Sequence, residues 1–116
     1  MKNAGILRRA GYSLAGLQIA LMQERSLRSH VVLSLSLFGA MAALEVGRSW
    51  WAVMLLAVAV GWGFELMNAA VERLCDRLHP DRHPDIGAVK DLASGAAFVV
   101  NVTTGLLALA MFSERL

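Results

Sequence analysis

The sequence predicts an all-α membrane protein with an N-terminal amphipathic surface helix and three transmembrane helices. Three observations support this. Hydrophobic residues fill 57% of the 116 positions, and they gather in long blocks instead of spreading evenly. The blocks at 31–47, 49–71 and 92–113 have roughly the lengths that cross a bilayer, which takes ~20 residues. Basic residues fall mainly on alternate connections between the blocks, as positive-inside orientation requires.

The chain reads as one domain, residues 1–116. A helix is expected over 3–24, where Leu7, Ala10, Leu14, Leu17 and Leu21 recur at spacings of three and four. Arg8, Arg9, Ser13 and Gln18 fall mostly off that stripe, which suits a helix lying in the membrane surface. Packing of this helix on the other three is the alternative.

The first span is expected within 29–48. Its apolar run VVLSLSLFGAMAALEVG is short, so Ser29, His30 and the Glu45–Arg48 end are placed in the interfaces. The second is expected within 49–78, with Trp50 and Trp51 in an interfacial aromatic belt. Pro80 and Pro84 are read as stopping it. The third is expected within 90–114, opened by Lys90 and Asp91, the latter an acidic residue suited to a helix N-terminus. Its run 92–113 carries no charge.

Lys2, Arg8, Arg9, Arg25 and Arg28 precede the first span, and Arg73, Arg77, Arg82 and Lys90 lie between the second and third. Arg48 and Arg115 fall on the other side. The N-terminus and the 72–91 connection are therefore expected to be cytoplasmic.

Composition excludes several classes. A net charge of +2 gives no basic footprint for nucleic acid. A single cysteine, Cys75, allows no intrachain disulfide or cysteine zinc cluster and reads as a packing residue. The first residues lack the apolar core of a signal peptide. No Walker A loop, GxGxxG or nucleophile elbow occurs.

The informative stretch is GFELMNAAVERLCDRLH, residues 63–79. At ~100° per residue, Asn68, Glu72 and Asp76 fall at about −60°, −20° and +20° from Glu65. The four form a ladder of roughly 16 Å on one helix face, running from inside the membrane to the cytoplasmic surface. Arg73 and Arg77 point elsewhere. Asp76 and Glu72 suit a solvated helix end with ordinary ion pairs. Glu65 does not, because a full apolar span precedes it, and a carboxylate inside a membrane marks a functional site. Asn68 suits either the site or an interhelical hydrogen bond.

A carboxylate at the membrane edge can act as general base on a lipid hydroxyl. Another farther out can hold Mg²⁺ against nucleotide phosphates. Glu24, at the end of the surface helix on the same side, is a third carboxylate. The same groups could carry protons or cations.

The connection LHPDRHPDIGAVKD, residues 78–91, alternates His79, Asp81, His83 and Asp85. It lacks zinc-ligand spacing and suits a nucleotide-touching loop or a plain polar turn. Lys90 can meet a phosphate as a point charge. Ala93, Ser94, Gly95, Ala96 and Ala97 allow close helix approach, with Ser94 also a candidate for a lipid headgroup. Asn101, Thr103 and Thr104 read as packing hydrogen bonds.

These residues resemble the small prokaryotic integral-membrane diacylglycerol kinases, a family that includes undecaprenol kinases. The similarity covers nearly the whole chain. It rests on Glu65, Leu66, Asn68, Ala70, Glu72 and Asp76; on His83 and the run Ala88 to Ala96; and on Gly11-Tyr12-Ser13, Gly16-Leu17 and Glu24.

The resemblance implies a homotrimeric helical bundle in the bacterial inner membrane and transfer of the ATP γ-phosphate to a lipid hydroxyl. It implies Glu65 as catalytic base and Glu24 and Glu72 as Mg²⁺ ligands. Tyr12, Glu24, Glu72, Asp81, Arg82, His83, Lys90 and Asp91 are implied near ATP. Arg28, Glu65, Asn68 and Ser94 are implied at the lipid headgroup, with Asp76 in support. The chain departs from the family pattern at Gly5, Leu14, Ala15, Met67, Ala69 and Val89.

Diacylglycerol is the expected acceptor, giving phosphatidic acid. Undecaprenol is the alternative, because Glu24-Arg25-Ser26-Leu27-Arg28-Ser29-His30 and His83-Pro84 resemble that branch. A proton or cation conductor is the more remote alternative, and a structural membrane subunit is a third class. Three short helices cannot enclose Glu65, a metal and a headgroup alone, so sites shared between subunits are expected.

Overall fold

The computed structural model describes residues 5–81 and 83–115. Four helices form among them: α1 Ile6–Gln23, α2 Arg25–Ala43, α3 Arg48–Leu78 and α4 Pro84–Ser113. The first residues of the expected 3–24 helix lie outside the described residues. At 1.5 Å per residue, α2 is about 28 Å long and α3 and α4 about 45 Å. A hydrocarbon layer of ~30 Å therefore leaves whole turns of α3 and α4 projecting beyond it. All three are apolar and long enough to span.

α1 breaks into α2 at one residue. Glu24 is extended (φ −111°, ψ 114°), and its N–H closes α1 on the Ala20 carbonyl at 2.8 Å. The Arg28 guanidinium then donates to the carbonyls of Leu21 and Met22 at 3.3 and 3.0 Å, satisfying acceptors that a helix end leaves open. Leu27 is fully buried in this elbow. α2 thus begins four residues before the expected 29, because a single extended residue suffices to redirect the chain.

Along α1 only Ala20 is buried; Leu7, Leu14 and Leu21 remain exposed. The stripe is not spent on the bundle, which leaves it for the membrane surface.

α2 ends at Ala43, before the expected 48, because Glu45 turns left-handed at φ 53°. The Val46 N–H then reaches back to the Met41 carbonyl at 3.2 Å, the bond pattern of a helix closed by a left-handed residue. Val46 drops into a core with Met41, Met54 and Met111, ringed by Trp50, Trp51 and Phe112. Phe38 stacks on Trp51 with centroids 5.8 Å apart, and Trp50 donates to Glu114 at 2.8 Å. The dry core thus sits where α2 ends, α3 begins and α4 ends.

α3 packs chiefly on α4, with α2 and α1 touching less. The α3–α4 connection corrects two expectations. Pro84 does not stop a helix; it starts one, at the first helical position where its missing N–H costs nothing. His83 caps it, Nδ1 accepting from the Asp85 N–H at 3.1 Å. α4 therefore begins at 84 and not 90. Asp85 occupies the acidic first turn, while Lys90 and Asp91 lie about two turns in, so Asp91 does not serve the helix N-terminus.

Most large apolar side chains outside the core face outward, including Leu33, Leu56, Phe98 and Leu109. Helices with all backbone groups satisfied and an apolar exterior are what a bilayer accepts.

Candidate active site

The ladder on α3 faces α4. Glu65 is 9% exposed, and its Oε1 accepts from the Asn101 side-chain amide at 2.8 Å. Three turns farther along, Asp76 accepts from Lys90 of α4 at 2.7 Å. That hydrogen bond, reinforced by the charges of Asp76 and Glu72, holds the Lys90 ammonium above the usual lysine range. Lys90 lies ahead of the apolar 92–113 run, at the rim of the bundle. Glu72, between the two anchored positions, is half-buried.

Asn68, one turn beyond Glu65, has a buried Oδ1 with no hydrogen-bond partner among the described residues. Buried acceptors rarely stay unpaired, so this one awaits a donor from a ligand, a water or a second chain.

α2 completes the inner end. His30 lies with Nε2 at 3.3 Å from Asn101 Oδ1 and 4.0 Å from Glu65 Oε1, and with Nδ1 at 3.1 Å from the Ser26 carbonyl. Trp62 meets the imidazole edge-on at 6.4 Å and donates to Ser34 at 3.1 Å. Sequence reasoning missed His30 and Asn101 as members of this cluster. It placed His30 in the interface and read Asn101 as a packing bond. One signal was present: Asn101 interrupts a charge-free span, and the acceptor that most needs a donor inside the membrane is Glu65.

The other candidates divide between two cavities. Asp76, Asp81, His83, Lys90 and Asp91 line one of about 650 Å³ at the α3–α4 connection. Arg82, the remaining loop candidate, lies outside the described residues. Glu24 lines a separate cleft of about 360 Å³ between α1 and α3, with Ser13, Gly16 and Ala69. There it is engaged by Arg73 at 3.0 Å, and Arg73 also donates to Gln23. Arg73 thus leaves the ladder alone, as its helix position predicted, but holds the end of α1 to α3. Tyr12 and Ser94 are exposed, and Arg28 is occupied at the α1–α2 elbow.

Among the described residues, no three His, Cys, Asp or Glu side chains converge as a cation site. Glu24 and Glu72 supply two hard carboxylates. That donor chemistry suits Mg²⁺, which commonly takes one or two carboxylates and completes its shell with phosphate oxygens and water.

An apolar helical bundle with a buried carboxylate and a polar cavity at one rim fits the class of membrane proteins that hold polar groups at the edge of their apolar spans. The family model for prokaryotic diacylglycerol kinase matches residues 11–112. The chain belongs to that family, and it is accordingly a lipid kinase. It is 37% identical over 94 residues to a diacylglycerol kinase of Pseudomonas aeruginosa, covering 81% of this chain and 76% of the relative. It is 29% identical over 101 residues to a diacylglycerol kinase of Haemophilus influenzae, covering 83% and 81%. It is 27% identical over 93 residues to an undecaprenol kinase of Bacillus subtilis, covering 80% and 76%.

Proposed function

We propose that this kinase transfers the γ-phosphate of ATP to the hydroxyl of diacylglycerol, giving phosphatidic acid. The observation that carries this reading is Glu65, buried in an apolar helix with Oε1 tethered to Asn101. No hydrogen bond from the described residues reaches its Oε2. That oxygen takes the proton of the lipid hydroxyl, the hydroxyl oxygen bonds to the γ-phosphorus, and the bond to the β-phosphate oxygen breaks to release ADP. Asn68 Oδ1, one turn away, is an acceptor suited to the lipid headgroup; Ser94 and Arg28 complete that end of the reading.

Asp81, His83, Lys90 and Asp91, which share one cavity, receive the nucleotide, with Lys90 as the charge beside phosphate. Arg82 and Tyr12 belong to the same reading by position. Glu24 and Glu72 would hold Mg²⁺, which when bound neutralises the nucleotide phosphates. The distribution of basic residues supports a cytoplasmic-membrane location with the N-terminus and site facing the cytoplasm.

Undecaprenol is the second reading. It is favoured by the likeness to the Bacillus subtilis undecaprenol kinase and by the Glu24–His30 stretch. Labelled γ-phosphate, offered with Mg²⁺ to purified protein in mixed micelles containing one lipid or the other, separates the two. Label in diacylglycerol supports the first reading, and label only in undecaprenol replaces it. Label in neither, from a folded oligomer, removes both.

The same reading takes the kinase as a homotrimer with shared sites, and the split of Glu24 and the loop residues between two cavities of one chain supports the sharing. Oligomers mixed from Glu24→Gln and Glu65→Gln subunits should then recover activity. Verified mixed oligomers that stay inactive would sink the sharing.

A further inference from the structure

We propose that His30 and Asn101 are positioning residues for the Glu65 carboxylate, acting as a hydrogen-bonded chain across α2, α4 and α3. The inference rests on the reading of Glu65 as the base.

The argument is one of donors and acceptors. The Ser26 carbonyl, 3.1 Å from His30 Nδ1, can only accept. The Asn101 amide gives its N–H to Glu65 at 2.8 Å, which turns its oxygen toward His30 Nε2 at 3.3 Å. Both ring nitrogens therefore face oxygen acceptors. In either protonation form the ring can donate from Nε2 to the Asn101 oxygen, which keeps that amide's N–H turned to Glu65.

His30 Nε2 itself stands 4.0 Å from Glu65 Oε1. Glu65 is the charged group facing it from α3, and α4 contributes the neutral Asn101 there. Lys90 and Asp91 lie about three turns away along α4. Arg28, on the same helix as His30, is turned to the α1 carbonyls. The chain thus holds Oε1 and leaves Oε2 for the substrate.

Two neighbours fix the geometry. Trp62 walls the imidazole and is itself held by Ser34. Gly61 gives the amide its room, because a Cβ there would lie 3.2 Å from Asn101 Oδ1. That is tight enough to push the amide aside, so a methyl at 61 perturbs the chain without altering any of its members.

The test combines a hydrogen-bond readout with kinetics. ¹⁵N-histidine NMR of the purified oligomer in micelles at neutral pH has three histidines to resolve, His30, His79 and His83. His30, assigned by its loss in His30→Gln, is expected to show the shift of a hydrogen-bonded Nε2, and that shift should move in Asn101→Leu. An Nε2 shift that Asn101→Leu leaves unchanged overturns the proposal.

In parallel, His30→Gln, Asn101→Leu and Gly61→Ala should each lower kcat, the first two by roughly 10–100-fold, with KM for ATP and lipid nearly unchanged. In a Glu65→Gln background they should add no further loss. Gly61→Ala should likewise add nothing to Asn101→Ala. Losses that multiply with Glu65→Gln, or that fall on KM alone, overturn the proposal. An inactive Glu65→Gln beside fully active His30→Gln and Asn101→Leu removes the chain and keeps the base. A fully active Glu65→Gln removes the base itself.

Discussion

Replacing Glu65 with glutamine changes one atom and removes one charge, and the structure allows the two consequences to be weighed. Glutamine retains an oxygen for the Asn101 N–H now donated at 2.8 Å. A charge-assisted hydrogen bond becomes a neutral one, a loss of about 1 kcal/mol. Against that, the cost of burying a carboxylate at 9% exposure disappears. These terms oppose one another, so the fold should change by about 1 kcal/mol or less. Catalysis should respond far more. A positioned general base contributes about 10²–10⁴-fold, equivalent to roughly 3–5 kcal/mol of barrier. KM for Mg-ATP should hold, because the rim cavity at Asp76 and Lys90 lies roughly 16 Å along α3 from Glu65. The assay is γ-phosphate transfer at saturating lipid, with thermal unfolding of the same preparation. A kcat within tenfold of the parent, or a loss matched by unfolding, would refute the role.

Three further outcomes are expected. Lys90→Met should raise KM for Mg-ATP about tenfold, the loss of one charge–phosphate contact, while the unfolding midpoint barely moves because the Asp76 pair is exposed; a large midpoint drop with unchanged KM would make Lys90 structural. Met54→Ala empties the fully buried centre of the methionine core and should cost about 2–3 kcal/mol in detergent unfolding, with kcat of the folded fraction preserved. Glu45→Gly relieves a left-handed residue at φ 53° and should stabilise by up to about 1 kcal/mol by the same measurement.

The spans were legible because bilayer thickness imposes a length and an apolar composition that few other structures share. The ladder was legible because four polar residues at 65, 68, 72 and 76 can share a face only at helical spacing. What failed was information that resides between helices or in a dihedral. Pro84 ends or begins a helix depending on which side is helical, and composition on both sides was compatible with either. Glu45 adopts a conformation usually given to glycine, which no pattern announces. Asn101 looked like packing because its partner is set by the register of α4 on α3, and His30 looked interfacial because its span starts earlier than hydropathy suggests. In each case a local signal was present and its meaning depended on a neighbour.

The two ends of the bundle do opposite work, and the difference explains where function can reside. At one end Met41, Met54, Met111 and Val46 fill the space between α2, α3 and α4 with flexible apolar side chains. That end can hold the helices together without specifying any polar contact. At the other end the same helices meet through Glu65, Asn101, His30 and Ser26, each contact directional. A buried polar cluster is unfavourable when half-satisfied and rigid when complete. Among the described residues it is complete except that Asn68 Oδ1 is buried without a partner and no hydrogen bond reaches Glu65 Oε2, about one turn away on the same face of α3. Packing at the dry end supplies the framework that keeps those two open acceptors in place. A hydroxyl arriving from the lipid is a donor of the kind that the opening lacks.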